Sequence, residues 1–560
     1  MAVALTAGSM MITAGSVCAD DRGENFFNDL RCRHGIKNVI VLIPDGCDET
    51  VMTLARWYKG EALQVDSMQG GGIKTHMANS VIPGSAAAAT AFSSGHKTTA
   101  RFLGVGPRTE DLLTGFDPTA EPYAPVATIL EAAKLKSKAT GLVSTSRITH
   151  ATPAAFACHI EDRGYDNEIM EHMVYNNLDV AFGGGARHLI PAGDSYTTSF
   201  GATWNGKRTD GENLMEVLED RGYQFIDSRD ELFSLEEGPV FGLFDDSHMQ
   251  PDIDRQYFAT HEPSIAEMTD KAIEILSQDE DGFFLMVEGS QVDWAGHNND
   301  PIYMVTDFLA FDEAVKTAVD FAKEDGSTLV LAFPDHNTGG MKIGHYTTPM
   351  AYTATTVEDL VDPLKGMTMS ANGVVAMVTD DSDDALKASV LENWGITLSD
   401  DDVAEIRNWP HSGSLSYSLA AVVSKNHTVI GWTTHGHNGE TVPLWSYGAP
   451  VAKGIIDNTE LADITADAMR LNLDRTTRKL FVDLDTVTCD YEIDWTDSEN
   501  PVLQLAGAEL PISKDYMIKD GKEIQLPGVT VLAPQGKGNV DPSDDKVYVS
   551  RKALRKLGLI

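Results

Sequence analysis

Four short segments of this 560-residue chain gather residue types that hold metal ions. Residues 287–297 read Val-Glu-Gly-Ser-Gln-Val-Asp-Trp-Ala-Gly-His, so Glu288 is followed by Asp293 and His297. The last two stand four apart, a spacing that puts them on one side of a helical turn. Asp335-His336 sets two donors side by side, a pair that converges only from an irregular loop. His435-Gly436-His437-Asn438-Gly439 brings histidine into a glycine-rich turn, and Asp45 ends an apolar run. Oxygen and imidazole donors without thiolate suit catalytic zinc better than structural zinc. The surplus of carboxylates also suits a harder ion such as Mg2+.

A nucleophile and an anion clamp complete this inventory. Ser85 heads Ala86-Ala87-Ala88-Ala89-Thr90, a strong helix former, so it stands at a helix N-terminus. Alone it reads as an N-cap; beside metal donors it is also where a phosphoseryl group would be stabilised by free N–H groups and the helix dipole. Arg163 closes the segment His150 to Arg163, and its guanidinium fork suits bidentate phosphate binding, although a lone arginine is more often a surface ion-pair residue.

The donors must be carried by rigid elements. Asn38–Pro44 and residues 283–287 and 328–333 are continuous apolar runs, as expected for strands buried on both faces of a sheet. Helical patterns lie between them at 125–136, 263–277 and 304–324. This alternation predicts an α/β fold, a three-layer sandwich with a large, mostly parallel central sheet between helices. Each of the three runs ends in an acid or histidine, and the carboxyl ends of such strands are where ligands bind. Residues 346–430 are polar and acidic with short helical signals and read as an inserted, crown-like region over the core. Residues 476–560 read as a small β-rich C-terminal part.

There are 43 Lys+Arg against 84 Asp+Glu, a formal net charge of −41. That excess argues against nucleic acid or an anionic membrane as partner. The first 19 residues are small and apolar, with no charge before Asp20 and small residues at Val17 and Ala19. They read as a secretory signal without a basic start, the alternative being a disordered Ala/Gly-rich N-terminus. No later run is long enough to span a bilayer, which takes about 18 apolar residues. Four of the five cysteines (Cys32, Cys47, Cys158, Cys489) lie beyond the signal. None forms a CxxC pair; one disulfide and isolated buried thiols are equally open.

The chain resembles the alkaline phosphatase family. The resemblance rests on Ile-Pro-Asp-Gly at 43–46, Ser-Ala-Ala-Ala-Ala-Thr at 85–90, Val-Ser-Thr-Ser-Arg-Ile-Thr-His-Ala-Thr-Pro-Ala-Ala at 143–155, Phe-Gly-Gly-Gly at 182–185, the 287–297 segment and Asp335-His336, in that order. It implies a core at 35–345 and 431–475 that hydrolyses phosphate monoesters through a phosphoserine. Ser85 would be the nucleophile. Asp45, Asp335 and His336 would hold one zinc, and Asp293, His297 and His437 the second. Asp45, Thr152 and Glu288 would hold Mg2+, and Arg163 would clamp the phosphate. A homodimer and inhibition by inorganic phosphate are also implied. A metal phosphodiesterase or sulfatase of the same superfamily is the alternative.

Three positions depart from the usual pattern. Gly84 stands where an aspartate normally orients the arginine, so Arg163 is expected to be held more loosely. His150 and Trp294 resemble marine bacterial members, and His150 can tune the Mg2+ site from outside it or bind a further zinc. The net charge repels an anionic substrate unless salt screens it, so a salt-adapted enzyme, periplasmic or secreted, is expected.

Overall fold

The run Asn38–Pro44 forms β1, buried along its whole length. Alternation along it feeds two separate hydrophobic layers. Val39, Val41 and Ile43 face one, and Ile40 and Leu42 face the other. The strand at Phe283–Gly289 repeats this, with Phe284 and Met286 on the first face and Phe283, Leu285 and Val287 on the second. Both runs therefore lack a polar face because neither face meets water.

The computed structural model describes residues 35–345, 348, 352–411, 413–449, 454–534 and 545–560. The expected signal at 1–19, with Cys18 and Cys32, lies outside the described residues. Ten strands form the main sheet: β1, β2 (Gln69–Lys74), β3 (Ala139–Arg147), β4 (Val180–Gly184), β5 (Gln224–Ile226), β6 (Val240–Leu243), β7 (Phe283–Gly289), β8 (Thr328–Ala332), β9 (Val442–Tyr447) and β10 (Ile455–Asp457). Their order is β10-β2-β9-β8-β1-β7-β3-β4-β6-β5. Only β9 runs against its neighbours. The architecture is the α/β sandwich expected, with a mostly parallel sheet between two layers of helices.

The helices begin where capping chemistry allows. The pattern at 125–136 contracts to α2 (Ile129–Lys134), because Thr128 and Glu131 form a capping box and Pro125 is held in a β-bridge to Val105. Before it stands α1 (Ser85–Ser94), and after it α3 (Ala151–Ala157). The pattern at 263–277 becomes α4 (Ile265–Leu276), opened by the Ser264/Glu267 box. Next come α5 (Gln291–Asn298) and α6 (Pro301–Asp325). The latter starts earlier than its apolar period suggests, because Asp300 caps it and Pro301 fills the first turn.

The segment 346–430 is more helical than its sequence suggests. It contains helices at Val357–Lys365, Ala371–Ala376, Asp383–Trp394, Asp400–Arg407 and Leu415–His427. Its acidic stretches are first turns: Asp383 and Asp384 follow the cap Ser382, and Asp400 to Asp402 follow the cap Ser399. Carboxylates there oppose the positive end of the helix dipole. Leu360, Leu386, Val390 and Leu419 join the hydrophobic layer shared with α6, so the insertion is packed onto the core. The C-terminal part holds a five-stranded antiparallel meander with its own small core, between α7 (Leu473–Leu480) and α8 (Arg551–Leu557). Cys47 and Cys158 are buried free thiols, and Cys489 is an exposed one. Among the described residues no helix is long and apolar enough to cross a membrane.

Candidate metal centre and nucleophile

The neighbouring strands β1, β7, β3 and β8 deliver their carboxyl ends to one place. Asp45 follows β1, Glu288 ends β7, the loop after β8 carries Asp335 and His336, and the turn after β3 carries His150. Gly46 makes the junction possible. Its φ is +72°, and a Cβ there would stand 2.8 Å from both Asp293 Cα and Thr338 Oγ1.

One group of donors is Asp293, His297 and His437. His297 Nε2 lies 3.4 Å from Asp293 Oδ2, and His437 Nε2 lies 3.6 Å from Asp293 Oδ1. The two Nε2 atoms are 3.3 Å apart. Each ring binds a backbone carbonyl through Nδ1, His297 to His435 O at 2.5 Å and His437 to Pro83 O at 2.9 Å. Nδ1–H donated to a carbonyl fixes the tautomer that leaves Nε2 as a lone-pair donor.

A second group surrounds His336. Its Nε2 is 3.1 Å from Asp335 Oδ2, 3.6 Å from Asp45 Oδ1 and 3.2 Å from Ser85 Oγ. Asp293 also reaches this group, so it stands between two candidate metal positions. Thr338, which the sequence did not single out, ties them together. Its hydroxyl donates to Asp293 Oδ1 at 2.6 Å and lies 3.2 Å from His336 Nδ1.

The third group is Asp45, Glu288 and His150. Ser290 and Ser146 hydroxyls hold Glu288 Oε2 at 2.6 and 3.4 Å. Both Asp45 oxygens, Glu288 Oε1, Thr152 Oγ1 and His150 Nδ1 are buried with no hydrogen-bond partner among the described residues. Buried anionic oxygens without donors are costly, and a cation relieves that cost. The donor set thus fits metal ions, oxygen-rich around Glu288 and imidazole-rich around His437.

Ser85 opens α1 and is 2 % exposed. Ala88 N binds Gly84 O at 3.0 Å, which leaves the amides of the first helical turn for a ligand. Gly84 gives no cap, and a Cβ there would meet nothing within 4 Å. Arg163 instead rests on His150, with Nη2 donating to His150 Nε2 at 2.6 Å. Its neighbour Asp162 is taken by Arg101. His150 also packs edge-on against Trp294, at 5.7 Å, and His248, at 5.8 Å. His248, another residue the sequence did not single out, accepts from Arg147 N at 3.1 Å.

All twelve residues selected from the sequence fall in or beside this centre. His435 serves through its carbonyl, and Tyr417 of the insertion stacks on its ring at 5.0 Å. The insertion thereby supports a ligand turn. His297 and His437 keep 28 % and 20 % of their side chains exposed, whereas Asp45 and His336 keep none. The centre therefore opens to solvent on the His297/His437 side.

Burial and mutual charge shift the titration of these donors strongly. Burial and the charges of Asp335, Asp293 and Glu288 push Asp45 well above the carboxylate range. Burial takes Glu288 up to about 7 and, with Asp293 adding to it, Asp335 up to about 6. Burial also acts upward on Asp293, but His297, His437 and His336 outweigh it and hold Asp293 far below its usual range. Burial lowers His297, but Asp293 overcomes it and lifts His297 to about 9.

In the metal-free protein Glu288 keeps its proton to about 7 and His297 to about 9, whereas the unfolded chain loses them near 4.5 and 6.5. Above pH 6.5 the folded state binds more protons, so stability falls as pH rises. Buried neutral His150 and His336 act oppositely, but only below 6.5, where unfolded histidine is charged. Metal-free protein should lose up to about 1.4 kcal/mol per pH unit from His297 between roughly pH 6.5 and 9, Glu288 adding to the loss only up to about pH 7. Metal-loaded protein should lose less, because a cation takes the place of the His297 proton, whereas Glu171, raised by burial to about 8, acts alike in both forms. Denaturant unfolding at pH 7 and 9, with and without a chelator, measures the difference; an equal loss in both forms contradicts the reading.

The model of the alkaline phosphatase family matches residues 36–471. Alkaline phosphatase 3 of Bacillus subtilis is 34 % identical over 460 residues, covering 78 % of this chain and 90 % of the relative. The repressible alkaline phosphatase of Saccharomyces cerevisiae is 30 % identical, covering 79 % and 83 %. Among solved structures, Thermus thermophilus alkaline phosphatase superposes with a TM-score of 0.68 at 25 % identity, covering 81 % of this chain and 96 % of that one. A histidine-to-aspartate variant of the alkaline phosphatase from the Antarctic bacterium TAB5, with Mg bound in the M3 site, gives 0.54 at 26 %, covering 78 % and 99 %. The fold and the site thus define a metal-dependent phosphoric monoester hydrolase. The chain belongs to the alkaline phosphatase family.

Proposed function

We propose that the chain hydrolyses phosphate monoesters through a phosphoserine at Ser85, with two Zn2+ and one Mg2+ held by the three donor groups. The observation that carries this reading is Ser85 Oγ at a helix N-terminus, 3.2 Å from His336 Nε2 and beside Asp45, neither of whose oxygens has a hydrogen-bond donor among the described residues. When bound, the metals supply Lewis-acid charge that stabilises the entering and leaving oxygens and lowers the pKa of the nucleophile. His297, His437 and Asp293 would hold one zinc, and His336, Asp45 and Asp335 the other, with Asp293 adjoining both. Asp45, Glu288 and Thr152 would hold Mg2+, the ion bound in the M3 site of the TAB5 relative.

Ser85 Oγ attacks phosphorus, the ester oxygen departs toward the open His297/His437 side, and water later frees the phosphate from Ser85. The first-turn amides of α1 and Arg163 stabilise the phosphoryl oxygens. Six positive charges from the metals would exceed the four carboxylates and make the pocket attractive to an anion. His150 serves one of two roles at a time. A neutral ring that accepts from Arg163 at Nε2 carries its proton on Nδ1, and so offers no lone pair to a metal there.

Rates on a phosphate monoester, a diester and a sulfate ester test the assignment. The monoester should exceed both others by orders of magnitude; a diester or sulfate preference sinks it in favour of the superfamily alternative. Arg163→Ala should raise KM about tenfold or more and weaken inhibition by inorganic phosphate. Unchanged inhibition removes Arg163 from the phosphate site.

Export to the periplasm or medium rests on the signal-like segment 1–19, and a homodimer rests on the family resemblance. Salt adaptation rests on the charge of −41, of which the site accounts for four carboxylates. Stability and kcat/KM should hold or rise from about 0.1 to 1 M NaCl, where the Debye length shrinks to ~3 Å. A steep fall in both rules it out.

A further inference from the structure

In a chain with nearly two acids for every base, one surface runs the other way. The exposed faces of α7 and α8 meet along a groove of about 640 Å3. Arg475, Arg478 and Lys479 line it from α7, and Arg551, Lys552, Arg555 and Lys556 from α8. Leu135 and Pro527 are its other lining residues, so no acid lines it. None of the seven cations has a carboxylate within ion-pair distance among the described residues; Lys552 donates only to Gln525 O, at 3.0 Å. The one acid of α7, Asp474, is not among the lining residues, and its charge acts on Asp463 and His96. Seven like charges held together repel one another, and no carboxylate among the lining residues offsets them at close range.

The groove is separate from the metal centre. Leu135 caps α2 just before β3 begins, whereas His150 follows the end of β3. The nine residues of β3 span about 30 Å at ~3.3 Å each, so the groove lies toward the opposite end of the sheet.

We propose that this groove binds linear inorganic polyphosphate. Its cations recur three and four residues apart on both helices, so neighbours stand roughly 5–6 Å apart in two facing rows. Such rows match a thin chain that carries a charge on every repeat. Arginine forks grip phosphate oxygens bidentately, and the lysines add point charges. No aromatic ring lines the groove to stack a base, which disfavours nucleic acid. A flat anionic membrane would meet the field of the whole acidic surface, whereas a single chain enters the groove alone. Occupancy is then set by salinity, because each bound phosphate releases counterions.

The test is binding of fluorescently labelled polyphosphate to the metal-loaded protein, followed by anisotropy. Saturable binding is expected at 50 mM NaCl and should weaken about 50-fold at 200 mM if four counterions are released, by the single-strand slope of about −0.7 per phosphate. Arg478→Glu with Arg555→Glu should weaken it at least tenfold and leave hydrolysis of a small monoester unchanged. Arg478→Gln with Lys552→Gln gives the same reading, more mildly, should charge reversal impair folding. Absence of saturable binding in the parent overturns the proposal. So does equal affinity in a folded variant, or equally tight binding of single-stranded DNA or anionic vesicles.

Discussion

Ser85→Ala loses at least about a thousandfold in kcat on any phosphate monoester, while its metal content and melting temperature stay at parent values. A thousandfold is about 4 kcal/mol of barrier at 1.36 kcal/mol per decade. The size follows from the geometry. Ser85 Oγ is the hydroxyl placed against His336 Nε2, at 3.2 Å, and in front of the free amides of α1. The substitution removes one oxygen from a residue 2 % exposed, within a helix whose residues are all buried, so packing barely changes. Water attacking directly would keep some turnover, and an alanine variant within about tenfold of the parent, ~1.4 kcal/mol, would mean that another group is the nucleophile.

Asp293→Ala has the second largest effect, and it reaches further than one ligand should. Asp293 adjoins both the His297/His437 pair and the His336 group. Its loss leaves two imidazole Nε2 atoms 3.3 Å apart with no carboxylate between them. His297 would fall from about 9 toward its ordinary value once that charge is gone. Activity should fall more than about 100-fold, the upper end of what losing even an indirect partner of a metal ligand costs. Metal analysis should show more than one equivalent missing. A variant that lacks a single equivalent, with activity restored by excess Zn2+, would confine Asp293 to one position.

Much of this centre could be read before the fold was known, because it is built where buried strands end. Asp45, Glu288 and Asp335-His336 each follow an apolar run, and the register of β1 with β7 and β8 brings those ends together. What stayed hidden has no periodic signal. Thr338 ties Asp293 to His336 through one hydroxyl, and nothing in its sequence surroundings marks that role. The carbonyls of Pro83 and His435 orient two ligands through backbone atoms, which side-chain identity cannot reveal. β2 is Gln-Gly-Gly-Gly-Ile-Lys and is a strand only because β9 and β10 flank it. The helices of the insertion hid behind acidic runs that are their first turns. Gly84 suggested a loosely held arginine, and three-dimensional packing supplied His150 as its rest.

The central claim is that hydrolysis runs through Ser85 itself. The most direct measurement is to acid-quench the metal-loaded protein with labelled inorganic phosphate or monoester and map the label by peptide mass. The account predicts up to one phosphate per chain, on the peptide that contains Ser85, and none in Ser85→Ala. Label on any other residue, or full activity with no trapped phosphate under any quench, would contradict it.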